Sequence, residues 1–205
     1  MQDPRHRNVI FDRSTIGAYL NDYADALRDA LRGVDAEALD RARVAIERAA
    51  AEGRHVFSIG NGGSAAIADH LCCDFTKGTH AEGHPVVRTQ SMNANVALYT
   101  AVANDFGFER VFSYQVEMLG RAGDVLVAIS SSGNSANIVH AVAAAKAAGM
   151  TTIGLSGFSG GTLKDAADIA LHIDAPNYGI VEDAHQALCH VLAQFIATAR
   201  DARRT

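Results

Sequence analysis

The stretch GNGGSAAIADHLCCDF, residues 60–75, sets His70 and Asp74 four residues apart in an apolar run that follows a turn of glycine, asparagine and serine. On a helix over 64–76 this spacing stacks an imidazole and a carboxylate on one face, where two side chains can share a metal ion or a proton. A second pair lies in VEDAHQALCHVLAQFI, where Glu182 and His190 stand eight residues apart with Gln186 between them. At 3.6 residues per turn they fall about 80° from each other, beside an expected core stripe of Leu188, Val191, Leu192 and Phe195. Two imidazoles and two carboxylates complete a tetrahedral Zn²⁺ site if the two helices meet, within one chain or across a subunit interface. The other histidines weighed, His140 and His185, are expected to be structural, and Cys72 and Cys73 to pack in the core.

A different chemistry is written in ISSSGNSANIVHAVAAAKAAG, where a hydroxyl-rich turn runs straight into a helix. Ser130, Ser131, Ser132 and Ser135 offer hydroxyl donors, and the first amides of the helix have no intrahelical partner, so an anion such as a phosphate is well held there. The plainer alternative is a polar loop with a serine cap. No GKS or GKT follows and the spacing is not GxGxxG, which places nucleotides below sugar phosphates as ligands. In SIGNGGS, Asn61, Gly62 and Gly63 allow a ligand close to the backbone.

The elements that must carry these groups follow from patterning. Two amphipathic stretches, TIGAYLNDYADALRDALRGV and DAEALDRARVAIERAAAEG, predict two N-terminal helices, an extension over about residues 1–53. Short β-branched runs then alternate with Ala-rich helical segments: HVFSI, PVVRT, DVLVAI, TTIGL and IALHI. That alternation predicts an α/β fold with a parallel sheet between helices, VLVAI central and IALHI near an edge. Ligands in such sheets bind beyond the carboxyl ends of strands, after residues 59, 129 and 155.

With 205 residues, 48% of them hydrophobic, the chain is read as one domain spanning 1–205. A net charge of −5 without a long basic block argues against nucleic acid as the partner, and the terminal ARDARRT reads as a solvated end. Charged residues interrupt positions 1–20 and no stretch approaches a membrane span. Cys72, Cys73 and Cys189 form no CxxC pair and suit reduced thiols, so the expected location is the cytoplasm.

Taken together, GNGGSA, AVANDFGFERVFSYQVE, GDVLVAISSSGNSANIV and GLSGFSGGTL, in this order and between two N-terminal helices and a last long helix, resemble the SIS-domain sugar isomerases, and within them the phosphoheptose isomerases. The resemblance implies a flavodoxin-like, three-layer fold with a five-stranded parallel sheet, a homotetramer with sites at subunit interfaces, and one Zn²⁺ per subunit. It implies conversion of sedoheptulose 7-phosphate to D-glycero-D-manno-heptose 7-phosphate for heptose-containing surface glycans such as lipopolysaccharide. Carried over residue by residue, Asn61, Gly62, Gly63, Asn104 and Asp105 contact substrate, and Ser130, Ser131, Ser132 and Ser135 hold its phosphate. The family's HxxxE motif falls on His70 and Asp74, and its Gln with a His eight residues later falls on Glu182 and His190.

Two positions depart from that pattern. Asp74 stands where the family has Glu, one methylene longer, and Glu182 stands where it has Gln. Both remain oxygen donors, so His70, Asp74, Glu182 and His190 stay competent for metal, with Asp74 and His190 the expected base and acid and Glu182 also reaching substrate. Such sites also accept Mn²⁺, Fe²⁺ or Ni²⁺. The alternatives carried forward are an isomerase of another sugar phosphate and a non-catalytic SIS module that binds a sugar phosphate and signals to a protein.

Overall fold

The structure, a computed structural model, describes residues 11–201. Residues 1–10 of the expected N-terminal extension and residues 202–205 of the basic end lie outside the described residues. Helix α1 (Ile16–Arg32) starts where the Thr15 hydroxyl accepts from the Ala18 amide, and α2 (Ala36–Ala51) starts where Asp35 accepts from the Glu37 and Ala38 amides. Each cap satisfies amides that the first helical turn leaves unpaired. The small residues Ala38, Ala42, Ala45 and Ala49 line the buried face of α2 and let it lie close on the sheet.

The sheet consists of β1 (His55–Gly60), β2 (Arg88–Ser91), β3 (Val125–Ser130), β4 (Thr151–Ser156) and β5 (Ile169–His172). All pairings are parallel and the spatial order is β2-β1-β3-β4-β5. VLVAI is accordingly central and wholly buried, and β5, at the edge, alternates buried and half-buried residues. One face packs on α1, α2, α3 (Gly63–Cys73) and α8 (Tyr178–Asp201). The other carries α4 (Val96–Phe106), α5 (Ser113–Leu119), α6 (Ala136–Ala147) and α7 (Gly161–Ala166), giving three layers. None of the described helices is long and apolar enough to cross a membrane.

The strand expected at PVVRT forms later, at Arg88–Ser91, in register from His55↔Arg88. Pro85 has no amide to give a ladder, and Val87 is buried before the strand begins. The helix expected over 64–76 is α-helical only to Cys73 and then widens into a π-helical turn, Asp74–Gly78, around the buried Phe75. Cys73 is exposed rather than in the core, while Cys72 is half-buried with its thiol 3.3 Å from the Ser58 hydroxyl. Of the expected stripe on α8, Leu188 and Leu192 are buried but Val191 and Phe195 are exposed. The stripe against the sheet is set instead by Val181, Ala184, Leu188, Leu192 and Ile196. Val191 and Phe195 line a groove with Leu39 and Arg43 of α2.

His185 is fully buried. Neither ring nitrogen has a hydrogen-bond partner among the described residues. Burial dominates and pushes the pKa down from 6.5 to about 4. A depressed imidazole contributes stability above its unfolded pKa and loses it as pH falls toward the folded one. Stability, followed by denaturant unfolding, is therefore expected to decline between about pH 6.5 and 4, and His185→Leu to flatten that slope.

Candidate active site

The carboxyl ends of β1 and β3 lie side by side, with Gly60 opposite Ile129, so the turns that follow them face one another. This is where the strand order reverses, the position at which open parallel sheets bind ligands. The two turns are joined by a reciprocal amide pair: Asn61 Nδ2 donates to Asn137 Oδ1 and Asn137 Nδ2 donates to Asn61 Oδ1, each at 2.9 Å. Asn137 sits buried in the first turn of α6 and was not singled out by sequence. Its partner is 76 residues away, so only the fold brings the two together.

The cavity between the turns, about 160 Å³, is lined by Asn61, Ser64, Ser130, Ser131, Ser132, Ser135, Tyr178 and Glu182. Ser131 Oγ is buried there without a partner among the described residues, and Ser135, the residue preceding α6, spends no hydroxyl bond on capping the helix. These free donors stand with the unpaired amides of α6, a set suited to a phosphate. The turn is built on glycine: Gly133 has φ +67°, and a Cβ there would lie 1.9 Å from the Gly160 carbonyl oxygen.

Glu182 enters this cavity from α8. Its carboxylate packs so close to Gly63 that a Cβ on Gly63 would sit 2.5 Å from Glu182 Oε2. Burial first, and the neighbouring Asp183 second, push the Glu182 carboxyl above its ordinary pKa. Asp183 in turn accepts from the Tyr23 hydroxyl at 2.6 Å, fastening α1 to α8.

About two helical turns along α8 from Glu182, α3 and α8 meet at a second cluster. Asp74 Oδ2 is 3.2 Å from His70 Nε2 and 3.3 Å from His190 Nε2, and the two imidazole nitrogens are 3.1 Å apart. Asp74 Oδ2 is buried and makes no hydrogen bond of good geometry among the described residues. Donor atoms held about 2.0–2.1 Å from a tetrahedral Zn²⁺ lie roughly 3.3–3.4 Å from one another, so the spacing fits a metal. The π-helical turn that carries Asp74 is held by Arg200, whose guanidinium donates to the Thr79 carbonyl at 2.6 Å.

The structure thus brings His70, Asp74 and His190 together and places Glu182 apart from them, in the serine cavity. Gln186 stands between, with its amide Nε2 3.0 Å from His190 Nε2. Its four-residue spacing to His190 is the signal that could have marked it. Asn104 and Asp105 lie exposed on the last turn of α4, bonded to each other at 2.8 Å, and line neither the serine cavity nor the one beside Asp74 and His190.

Residues 18–157 match the SIS domain family. The phosphoheptose isomerase of Nitratidesulfovibrio vulgaris (strain Miyazaki F) is 35% identical over 188 residues, covering 92% of this chain and 86% of that protein. That of Yersinia enterocolitica is 38% identical over 185 residues, covering 88% and 94%. The chain belongs to the SIS-domain phosphoheptose isomerases. The solved phosphoheptose isomerase of Neisseria gonorrhoeae superposes with a TM-score of 0.79 at 33% identity, over 89% of this chain and 97% of that one. Membership makes the chain a phosphosugar isomerase.

Two outcomes are expected of this isomerase. Asn137→Ala removes both hydrogen bonds that the Asn61 carboxamide makes in the pair and should lower unfolding stability by about 1–3 kcal/mol, read by urea denaturation. A carboxyl with a raised folded pKa stabilises the fold while protonated and loses that contribution as pH rises through the folded value. Glu182→Gln, never charged, should therefore raise Tm at neutral pH, with the gain closing as pH falls through the carboxylate range.

Proposed function

We propose that this chain interconverts sedoheptulose 7-phosphate and D-glycero-D-manno-heptose 7-phosphate through an enediol. The observation that carries the reading is the pairing of an anion cavity at the ends of β1 and β3 with a proton-handling and metal-competent cluster on α3 and α8. The phosphate end of the sugar binds Ser130, Ser131, Ser132 and Ser135, with Asn61, Gly62 and Gly63 along the chain of hydroxyls. Anchoring the distal phosphate fixes the reacting carbons, and a misplacement of about 1 Å there can cost on the order of 100-fold in rate.

Asp74 is the proposed base. Its Oδ2 belongs to the cluster with His70 and His190, which leaves Oδ1 to take a proton from C1 of the ketose and return it to C2. His190, held through Nε2, exchanges a proton with the substrate oxygens through Nδ1. The donor set of two imidazoles and a carboxylate fits Zn²⁺ held by His70, Asp74 and His190, and the Glu182 that the resemblance also implies stands apart in the serine cavity. When bound, the metal supplies a Lewis acid for the carbonyl oxygen.

A homotetramer is part of the proposal. The exposed Val191 and Phe195 on α8, and Phe106 and Phe108 beside Asn104 and Asp105, offer apolar surface for other subunits, so that Asn104 and Asp105 reach a neighbour's site. A cytoplasmic location and supply of heptose for surface glycans belong to the same reading. A second reading, isomerisation of another sugar phosphate, is favoured by one observation: the Glu182 carboxylate stands in the serine cavity, where the family has Gln. A panel of ketose phosphates separates the two.

The test is an NMR time course of metal-replete protein with sedoheptulose 7-phosphate in D₂O. Aldose heptose 7-phosphate carrying deuterium at C2 is expected. Asp74→Asn should lose turnover while phosphate binding persists, and unchanged turnover in that variant refutes the role given to Asp74.

A further inference from the structure

The polar atoms around His190 are crowded beyond what hydrogen bonding can use. An imidazole nitrogen carries one proton or one lone pair in the ring plane, enough for a single good hydrogen bond. Yet His190 Nε2 has three polar neighbours: Gln186 Nε2 at 3.0 Å, His70 Nε2 at 3.1 Å and Asp74 Oδ2 at 3.3 Å. These separations all approach the edge of a tetrahedron of ligands around Zn²⁺, roughly 3.3–3.4 Å. Three polar groups gathered around His190 Nε2, with the buried Asp74 carboxylate oxygen left without a hydrogen bond among the described residues, describe a cradle for a cation.

Gln186 stands to His190 on α8 as His70, on α3, stands to Asp74 at the start of the π-helical turn, four residues earlier and on the same side. A half-turn of its carboxamide exchanges nitrogen for oxygen and puts a metal-binding atom at the same place, since the two are not told apart by shape. Glu182 is one turn further back, with its carboxylate against Gly63 in the serine cavity.

We propose that Gln186, through Oε1, and not Glu182, is the fourth protein ligand of the divalent cation held by His70, Asp74 and His190. The inference rests on the metal-dependent reading above. It divides the labour of α8 by turns: Glu182 meets the sugar phosphate, and Gln186 with His190 meets the metal. It also keeps a single carboxylate on the ion, which preserves more of its positive charge than two carboxylates would.

Cobalt is the probe, because the visible absorption of protein-bound Co²⁺ reports coordination independently of turnover. Metal-stripped protein is titrated with Co²⁺, following absorption and affinity. Gln186→Leu is expected to weaken binding by about tenfold or more, at least what loss of an outer-shell partner costs, and to change the band shape. Gln186→Glu, which restores an oxygen, should recover affinity, and Glu182→Ala should leave affinity and spectrum as in the parent protein. Parent-like binding by Gln186→Leu, or loss of binding in Glu182→Ala with Gln186 intact, overturns the proposal. Should Gln186→Leu fail to fold, Gln186→Asn withdraws the oxygen by one methylene and is expected to weaken binding, with unchanged affinity again overturning it. Failure of the parent protein to bind Co²⁺ would instead sink the metal reading itself.

Discussion

Parallel pairing of β1 with β3 is the constraint from which the site follows. These strands are far apart in sequence, and their alignment from Val56↔Val125 to Gly60↔Ile129 delivers two turns to the same edge of the sheet. Because both strands run the same way, both turns open into helices whose first amides point toward the gap. The fold therefore presents converging donors before any side chain is chosen. Side chains then select the ligand: hydroxyls from the β3 turn, carboxamides bridging the gap, and no lysine of the kind that grips nucleotides.

Helix α8 does the rest by crossing the mouth of this gap and continuing past α3. Its polar positions Glu182, Gln186 and His190 rise one turn at a time along the edge of an otherwise apolar face. The helix can present charge only because it is firmly seated elsewhere, by Ile180, Val181, Leu188 and Ile196 in the core and by the Tyr23–Asp183 bond to α1. Each hydrogen bond of this kind contributes about 1 kcal/mol net, small beside the apolar burial that fixes the helix axis. Their value lies in rotation: they hold α8 about its axis, and its rotation decides which turn faces which cavity.

Much of this was legible in the sequence, for physical reasons. β-Branched runs alternating with Ala-rich segments announce a covered parallel sheet, and the unbroken apolar VLVAI could only lie at its centre. The i, i+4 relation of His70 and Asp74 survives even though the chain leaves α-helical geometry at Asp74, because the π-helical turn begins at that residue and not before it. The rest depended on contacts between distant segments. Periodicity marks Val191 and Phe195 as apolar but says nothing of what covers them, and α2 leaves them at a groove. An angle of about 80° between Glu182 and His190 is compatible with one site or two, and only the placement of Gly63 against Glu182 separates them. The Asn61–Asn137 pair had no local signature at all.

The contact between Gly133 and Gly160 carries an evolutionary consequence. Because the serine turn after β3 is pressed against the backbone of the segment after β4, with no room for a methyl group between them, neither can accept a side chain while the other stays in place. Sequence change in the two turns must then be concerted, and a lineage that altered its phosphate grip at one strand end would leave a matching trace at the other.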